Sequence, residues 1–92
     1  MKHKDYSRIA SKFRFYNPFC QVNPKHRTES VHHKMGREGY ADQWARDNDI
    51  PLVIDERYFL ACCIACHNKI EENPEWAYEK GYSIPRANTH IK

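Results

Sequence analysis

Apolar side chains recur at Tyr6, Ile9, Phe13 and Tyr16, with Arg8, Lys12 and Arg14 around the other side. This is the spacing of one buried face of a helix. The pattern predicts an amphipathic N-terminal helix over about residues 5–16, ended by Asn17-Pro18, because proline supplies no amide donor and pushes its predecessor out of the α region. From Phe19 to Met35, turn formers at Asn23-Pro24 lead into Ser30-Val-His-His-Lys34, which reads as a short hairpin. The stretch Gly36 to Asp55 is less regular. Tyr40 to Arg46 suits a turn or two of helix, while Ile50-Pro51 and Leu52-Val-Ile54 read as extended. A helix is predicted from Cys66 to Glu72. A second is predicted over about 74–80, with Asn73 as N-cap, Pro74 at the first helical position and Gly81 just past the end. Trp76, Lys80 and Tyr82 precede a polar tail. With no internal repeat or Gly/Ser linker, residues 1–92 read as a single small α+β domain, its core between about 19 and 72.

Composition changes this picture in one respect. Leucine occurs only at Leu52 and Leu60 and mean hydropathy is −0.93, so a 92-residue chain has little apolar core and leans on aromatics. A metal or disulfide staple is expected. The start, Met1-Lys-His-Lys-Asp5, does not resemble a signal peptide, so the reading is a soluble cytoplasmic protein with reduced thiols. No stretch approaches the roughly 20 apolar residues of a membrane span. The net charge of +3 permits a nucleic-acid partner without requiring one.

Clustered reduced cysteines more often bind metal than pair. Cys63-Ile-Ala-Cys66 has the spacing of half a tetrahedral zinc site, and Cys20 offers a third ligand. A second C-x-x-C would place its cysteine at position 23, where Asn23 stands. The fourth ligand is then His26 or Cys62. His26 is favoured, since consecutive cysteines point in different directions, which leaves Cys62 a packed thiol. Three of the six histidines occupy suggestive places: His32-His33, and His67 directly after Cys66. Neighbours in a strand face opposite ways, so a doublet can divide two roles between a cation ligand and a proton acceptor.

Cys20, then Val31-His-His33, then Gly36-Arg37, then Leu60-Ala-Cys-Cys-Ile-Ala-Cys-His67 resembles the HNH endonucleases, whose pattern runs C-x-x-C, V-H-H or D-H, G-R, L-x-x-C-x-x-C-H. Asn17-Pro-Phe-Cys-Gln-Val22, Asp55-Glu-Arg57 and Glu71-Glu-Asn-Pro-Glu-Trp-Ala77 with Gly81-Tyr82 are similar to flanking segments of phage-type members, so nearly the whole chain is covered. The resemblance implies a ββα-metal core, a β-hairpin followed by a helix, with a structural zinc knuckle and flanking N- and C-terminal helices. It implies a metal-dependent DNA endonuclease in which His32 and His67 bind one catalytic cation (Mg²⁺, Mn²⁺ or Ni²⁺) and His33 is the general base. It also implies a phage-encoded role beside genome-packaging proteins. Arg37 is the expected phosphate contact, and Lys34, Lys69 and Arg57 would add affinity for the DNA backbone. Three departures stand out. Tyr58 lies where many members have an asparagine that tethers the loop carrying the base, so Tyr58 or Asn48 is expected to orient that loop. Asn23 replaces a knuckle cysteine. Lys34 replaces an apolar residue, ahead of a longer loop whose Tyr40 and Trp44 are expected to touch DNA or a partner or to cover the thin core. The competing reading is a zinc-stabilised DNA- or protein-binding module that keeps the fold without cleaving.

Overall fold

The structure is a computed structural model and describes residues 4–85. Residues 1–3 of the charged start and 86–92 of the polar tail lie outside the described residues. Helix α1 (Tyr6–Tyr16) forms where the periodicity predicts it, and Asn17 closes it by donating its side-chain amide to the Phe13 carbonyl at 2.8 Å. Its apolar face, Tyr6, Ile9, Ala10 and Phe13, packs on Val31 and Phe59, while Tyr16, expected on the same face, ends the helix exposed. The Phe13 and Phe59 rings meet edge to face at 5.2 Å. Phe59 is buried under α1, and truncating it to alanine should cost about 3–5 kcal/mol.

Val31 and Phe59 belong to the two strands of one antiparallel pair, β1 (Ser30–His33) and β2 (Phe59–Cys62), in the register Ser30 to Cys62 and His33 to Phe59. The segment 30–34 expected to turn back on itself is thus one strand, and its partner arrives 25 residues later. The connection holds helix α2 (Gln43–Asp47), in the span predicted for a turn or two of helix, and two 3₁₀ turns, Leu52–Ile54 and Glu56–Tyr58. Leu52-Val-Ile54 is therefore not extended. Pro51 begins a tight turn closed by amide bonds from Ile54 to Pro51 and from Asp55 to Leu52, which buries Leu52 and Val53 without any partner strand. Short apolar runs are ambiguous for this reason.

Arg57 locks the connection. Its guanidinium bonds the buried Asp55 at 2.7 Å and Asp42 at 3.1 Å, and lies over the Trp44 ring at 4.4 Å. Hydrogen bonds from Arg57 hold the Asp42 carboxyl below the usual range, while Asp55 and then Asp42 raise the guanidinium's own pKa. Asp42 also caps α2 through the Ala45 amide. Arg57 is thus paired within the fold, with 40% of its side chain still exposed and Trp44 beneath it.

Helices α3 (Ile64–Glu72) and α4 (Pro74–Lys80) follow β2. Helix α3 starts two residues earlier than expected, because Cys63 itself is the cap, its sulfur accepting the Cys66 amide at 3.4 Å. Asn73 stands at the N-cap of α4 but turns its side chain back to the Lys69 carbonyl, closing α3 instead. Gly81, left-handed at φ 79°, reverses the chain after α4. The Ile84 amide then bonds the Lys34 carbonyl at 2.8 Å, which lays Ser83 beside β1. Leu60, Ile70 and Ala77, with Trp76 and Tyr82 against them, fill the space between β2, α3 and α4. No described helix is long and apolar enough to cross a membrane.

Candidate functional site

Two side-chain clusters share helix α3. The first is built by the loop between α1 and β1. A backbone bridge pairs Phe19 with Arg27, and the Cys20 amide bonds the His26 carbonyl at 2.9 Å, so Cys20 and His26 are carried on one tight loop. That loop is pinned to β2 in both directions, since the Gln21 amide bonds the Ala61 carbonyl and the Ala61 amide bonds the Gln21 side chain, each at 2.8 Å. The sulfurs of Cys20, Cys63 and Cys66 lie within 4.8 Å of one another, all buried, and could hold a metal such as zinc. Backbone amides donate to two of these sulfurs, Asn23 to Cys20 at 3.3 Å and Cys66 to Cys63 at 3.4 Å. Burial raises the Cys20 thiol, but the amides of Asn23, Cys63 and Val22 outweigh it and leave the net shift downward. Burial, followed by hydrogen bonds with Cys63 and Cys20, pushes Cys66 up to about 12. Three thiols this close cannot all ionise without a cation. His26 Nδ1 is 3.3 Å from the Cys63 sulfur. Cys62 is buried outside this trio, its thiol pushed up to about 12 by burial and then by Cys20 and Cys63.

The second cluster lies on the α3 side of β1. His32 Nδ1, His67 Nε2 and a Glu71 carboxylate oxygen also lie within 4.8 Å of one another. Glu71 Oε2 is 3.5 Å from His67 Nε2 and 3.8 Å from His32 Nδ1, and the imidazole rings are 5.3 Å apart. The far nitrogens are held as well: His32 Nε2 is 3.1 Å from the Ser83 hydroxyl, and His67 Nδ1 is 3.3 Å from that of Ser30. If the serines accept the two ring hydrogens, the remaining lone pairs converge on Glu71. Such outer partners fix a ligand's tautomer and orientation. Burial, and then the neighbouring His67, lower the His32 pKa, with Glu71 opposing. The arrangement is two imidazoles and one carboxylate, with Glu71 63% exposed on its side chain, so the site is open to solvent on that side.

His33 faces the other way, as strand alternation requires. Its ring packs between Tyr6 and Phe59 at centroid distances of 5.5 and 5.0 Å, and its Nε2–H donates to the Val53 carbonyl at 3.1 Å. That bond fixes the tautomer and leaves Nδ1 as an acceptor. Burial, with Arg37 and His32 and His67 adding to it against the Val53 bond, brings the pKa down to about 4 and keeps the ring neutral near pH 7.

No family, curated protein or solved structure matches the chain. What the site can do therefore rests on its own atoms. Gly36, left-handed at φ 81°, closes a turn on the His33 carbonyl, and the next residue, Arg37, lies exposed with its guanidinium 5.5 Å over the Tyr6 ring that stacks on His33. Arg37 is thus on the His33 side of the strand. Lys34 is close enough to His32 to lower its pKa. Lys69 lies roughly 200° around α3 from His67, and its ammonium sits 4.5 Å over the Trp76 ring, away from both histidines. Tyr58 meets Arg57 with its ring and the Lys34 amide with its carbonyl, and Asn48 donates its side chain to Trp44. The Tyr58 bond thus holds the residue after His33, while the His33 ring itself donates to the Val53 carbonyl. Sequence reasoning missed that carbonyl, and it missed Glu71 as a partner of the histidines, although four residues after His67 is the spacing that puts two helical side chains on one face.

Proposed function

We propose that the chain is a metal-dependent DNA endonuclease with a ββα-metal core, in which β1, β2 and α3 frame the reacting centre. The observation that carries the reading is the opposed orientation of the two halves of the doublet. His32 joins His67 and Glu71 in a ligand set, while His33, on the other face of the strand, is buried with its ring oriented by Val53 and held neutral. The chemistry of the set fits a hard or borderline divalent cation such as Mg²⁺, Mn²⁺ or Ni²⁺, with three protein ligands and positions left over. When bound, that cation would neutralise charge on the scissile phosphate and its leaving oxygen.

His33 Nδ1 takes a proton from a water whose oxygen bonds to phosphorus. The phosphorus–O3′ bond breaks, and solvent protonates the leaving oxygen. The Val53 carbonyl, still accepting from Nε2–H, stabilises the imidazolium that forms. Arg37 holds the phosphate on this side of the strand, and Lys34 adds charge beside His32. The thiol trio would hold structural zinc with His26 as fourth ligand, and such an ion would fix the start of α3 and hence His67 and Glu71.

Incubating the protein with supercoiled plasmid and each of the three cations tests this reading. Nicking that requires an added cation supports it. No cleavage with any of them overturns it and favours the zinc-stabilised binding module.

A further inference from the structure

Half of the large apolar side chains exposed among the described residues fall within five consecutive positions: Phe15 at 76%, Tyr16 at 68% and Phe19 at 52% exposure. An apolar cluster that dense on a small surface asks for an occupant. Phe15 is turned away from the buried face of α1 and neighbours exposed Lys12 at helical spacing. The Phe15 and Tyr16 rings stand edge to face at 5.2 Å, and the Arg27 guanidinium lies 5.6 Å over Phe19.

Charge follows the same boundary. Residues 6–28 contain five cationic side chains, Arg8, Lys12, Arg14, Lys25 and Arg27, and no acidic one, whereas from Glu29 onward eight basic residues face eleven acidic ones. A ligand that satisfies this face carries repeated negative charge and flat apolar surfaces together. Unpaired nucleic acid does so, its phosphates meeting the cations and its bases stacking on the rings. A duplex hides its base faces. A lipid surface is disfavoured, because the apolar stripe of α1 is already buried on Val31 and Phe59. Arg27 is five residues from His32, so at most about 18 Å of extended chain separates the face from the candidate site.

We propose that Lys12, Phe15, Tyr16, Phe19, Lys25 and Arg27 form a binding face for an unpaired nucleic-acid strand, distinct from the histidine cluster. The choice of nucleic acid rests on the nuclease reading. Fluorescence polarisation with a labelled thymidine oligonucleotide of roughly 12 nucleotides, without added divalent cation, tests it. The expected result is at least about tenfold preference over a duplex of the same length, and about tenfold weaker single-strand binding in both Phe15→Leu and Phe19→Ala. Phe15→Tyr should retain affinity, and Arg27→Ala should reduce the salt dependence by about one unit of slope. Melting temperatures should stay at the unmodified value, since these side chains are exposed. Equal binding of single strand and duplex, full affinity in Phe15→Leu, or preference for anionic phospholipid vesicles would overturn the proposal. Single-strand binding without plasmid nicking removes only the nuclease reading, and nicking without single-strand binding removes only this one.

Discussion

The two clusters on α3 are built from opposite materials. At its first turn, three buried thiols are positioned by backbone: a bridged loop and two amides donated to sulfur, one of them the α3 cap. One turn further, the histidines and Glu71 are positioned by side chains, two hydroxyls holding two imidazoles beside an exposed carboxylate. A closed, dry set of soft ligands suits a metal that stays, and an open set of nitrogen and oxygen ligands suits one that meets substrate. The contrast predicts that damage to the first cluster appears as unfolding and damage to the second as lost activity.

The largest effect should come from Cys63→Ser. Loss of its sulfur from the trio, with the serine hydroxyl still able to cap α3, should remove most of the folding free energy, on the order of 5–15 kcal/mol for a domain, and abolish cooperative unfolding in thermal melts. A strong chelator should do the same to the unmodified protein. A chelated protein that melts unchanged would erase the distinction between the clusters. Next, His67→Ala should leave the melt within a few degrees but reduce cleavage by about a hundredfold or more, because it removes a ligand from a site with three. Glu71→Gln should be milder, since the amide oxygen can still bind weakly; the cation concentration needed for half-maximal cleavage should rise about tenfold or more, which a cation titration measures. Smallest is Ser30→Ala, which frees the far nitrogen of His67 and should weaken cation binding by about tenfold with the melt unchanged. Calorimetric titration with Mn²⁺ checks it.

The same contrast explains what was legible in the sequence. The thiol site could be read because Cys63-x-x-Cys66 is local and its chemistry is narrow. Helices α1 and α4 were legible through periodicity and through Pro74 and Gly81. The ends of Leu52–Ile54 were not, because an apolar triplet does not state whether a strand exists to receive it. The orientation of His33 was hidden for a different reason: a backbone carbonyl is common to every residue, so nothing about Val53 marks it. Ser83 reaches His32 only because the chain reverses at Gly81 and returns to Lys34, a contact 51 positions apart. Glu71 stands four residues beyond His67, a spacing that puts both on one helical face, but an acidic residue there also suits an ordinary solvated helix face.

If His32 and His33 divide cation binding from proton transfer, His33→Ala separates the two when plasmid nicking and Mn²⁺ binding are measured in parallel. This variant should bind Mn²⁺ as the unmodified protein does and nick about 10²–10⁴-fold more slowly. Nicking at the unmodified rate in a folded His33→Ala protein would contradict that division.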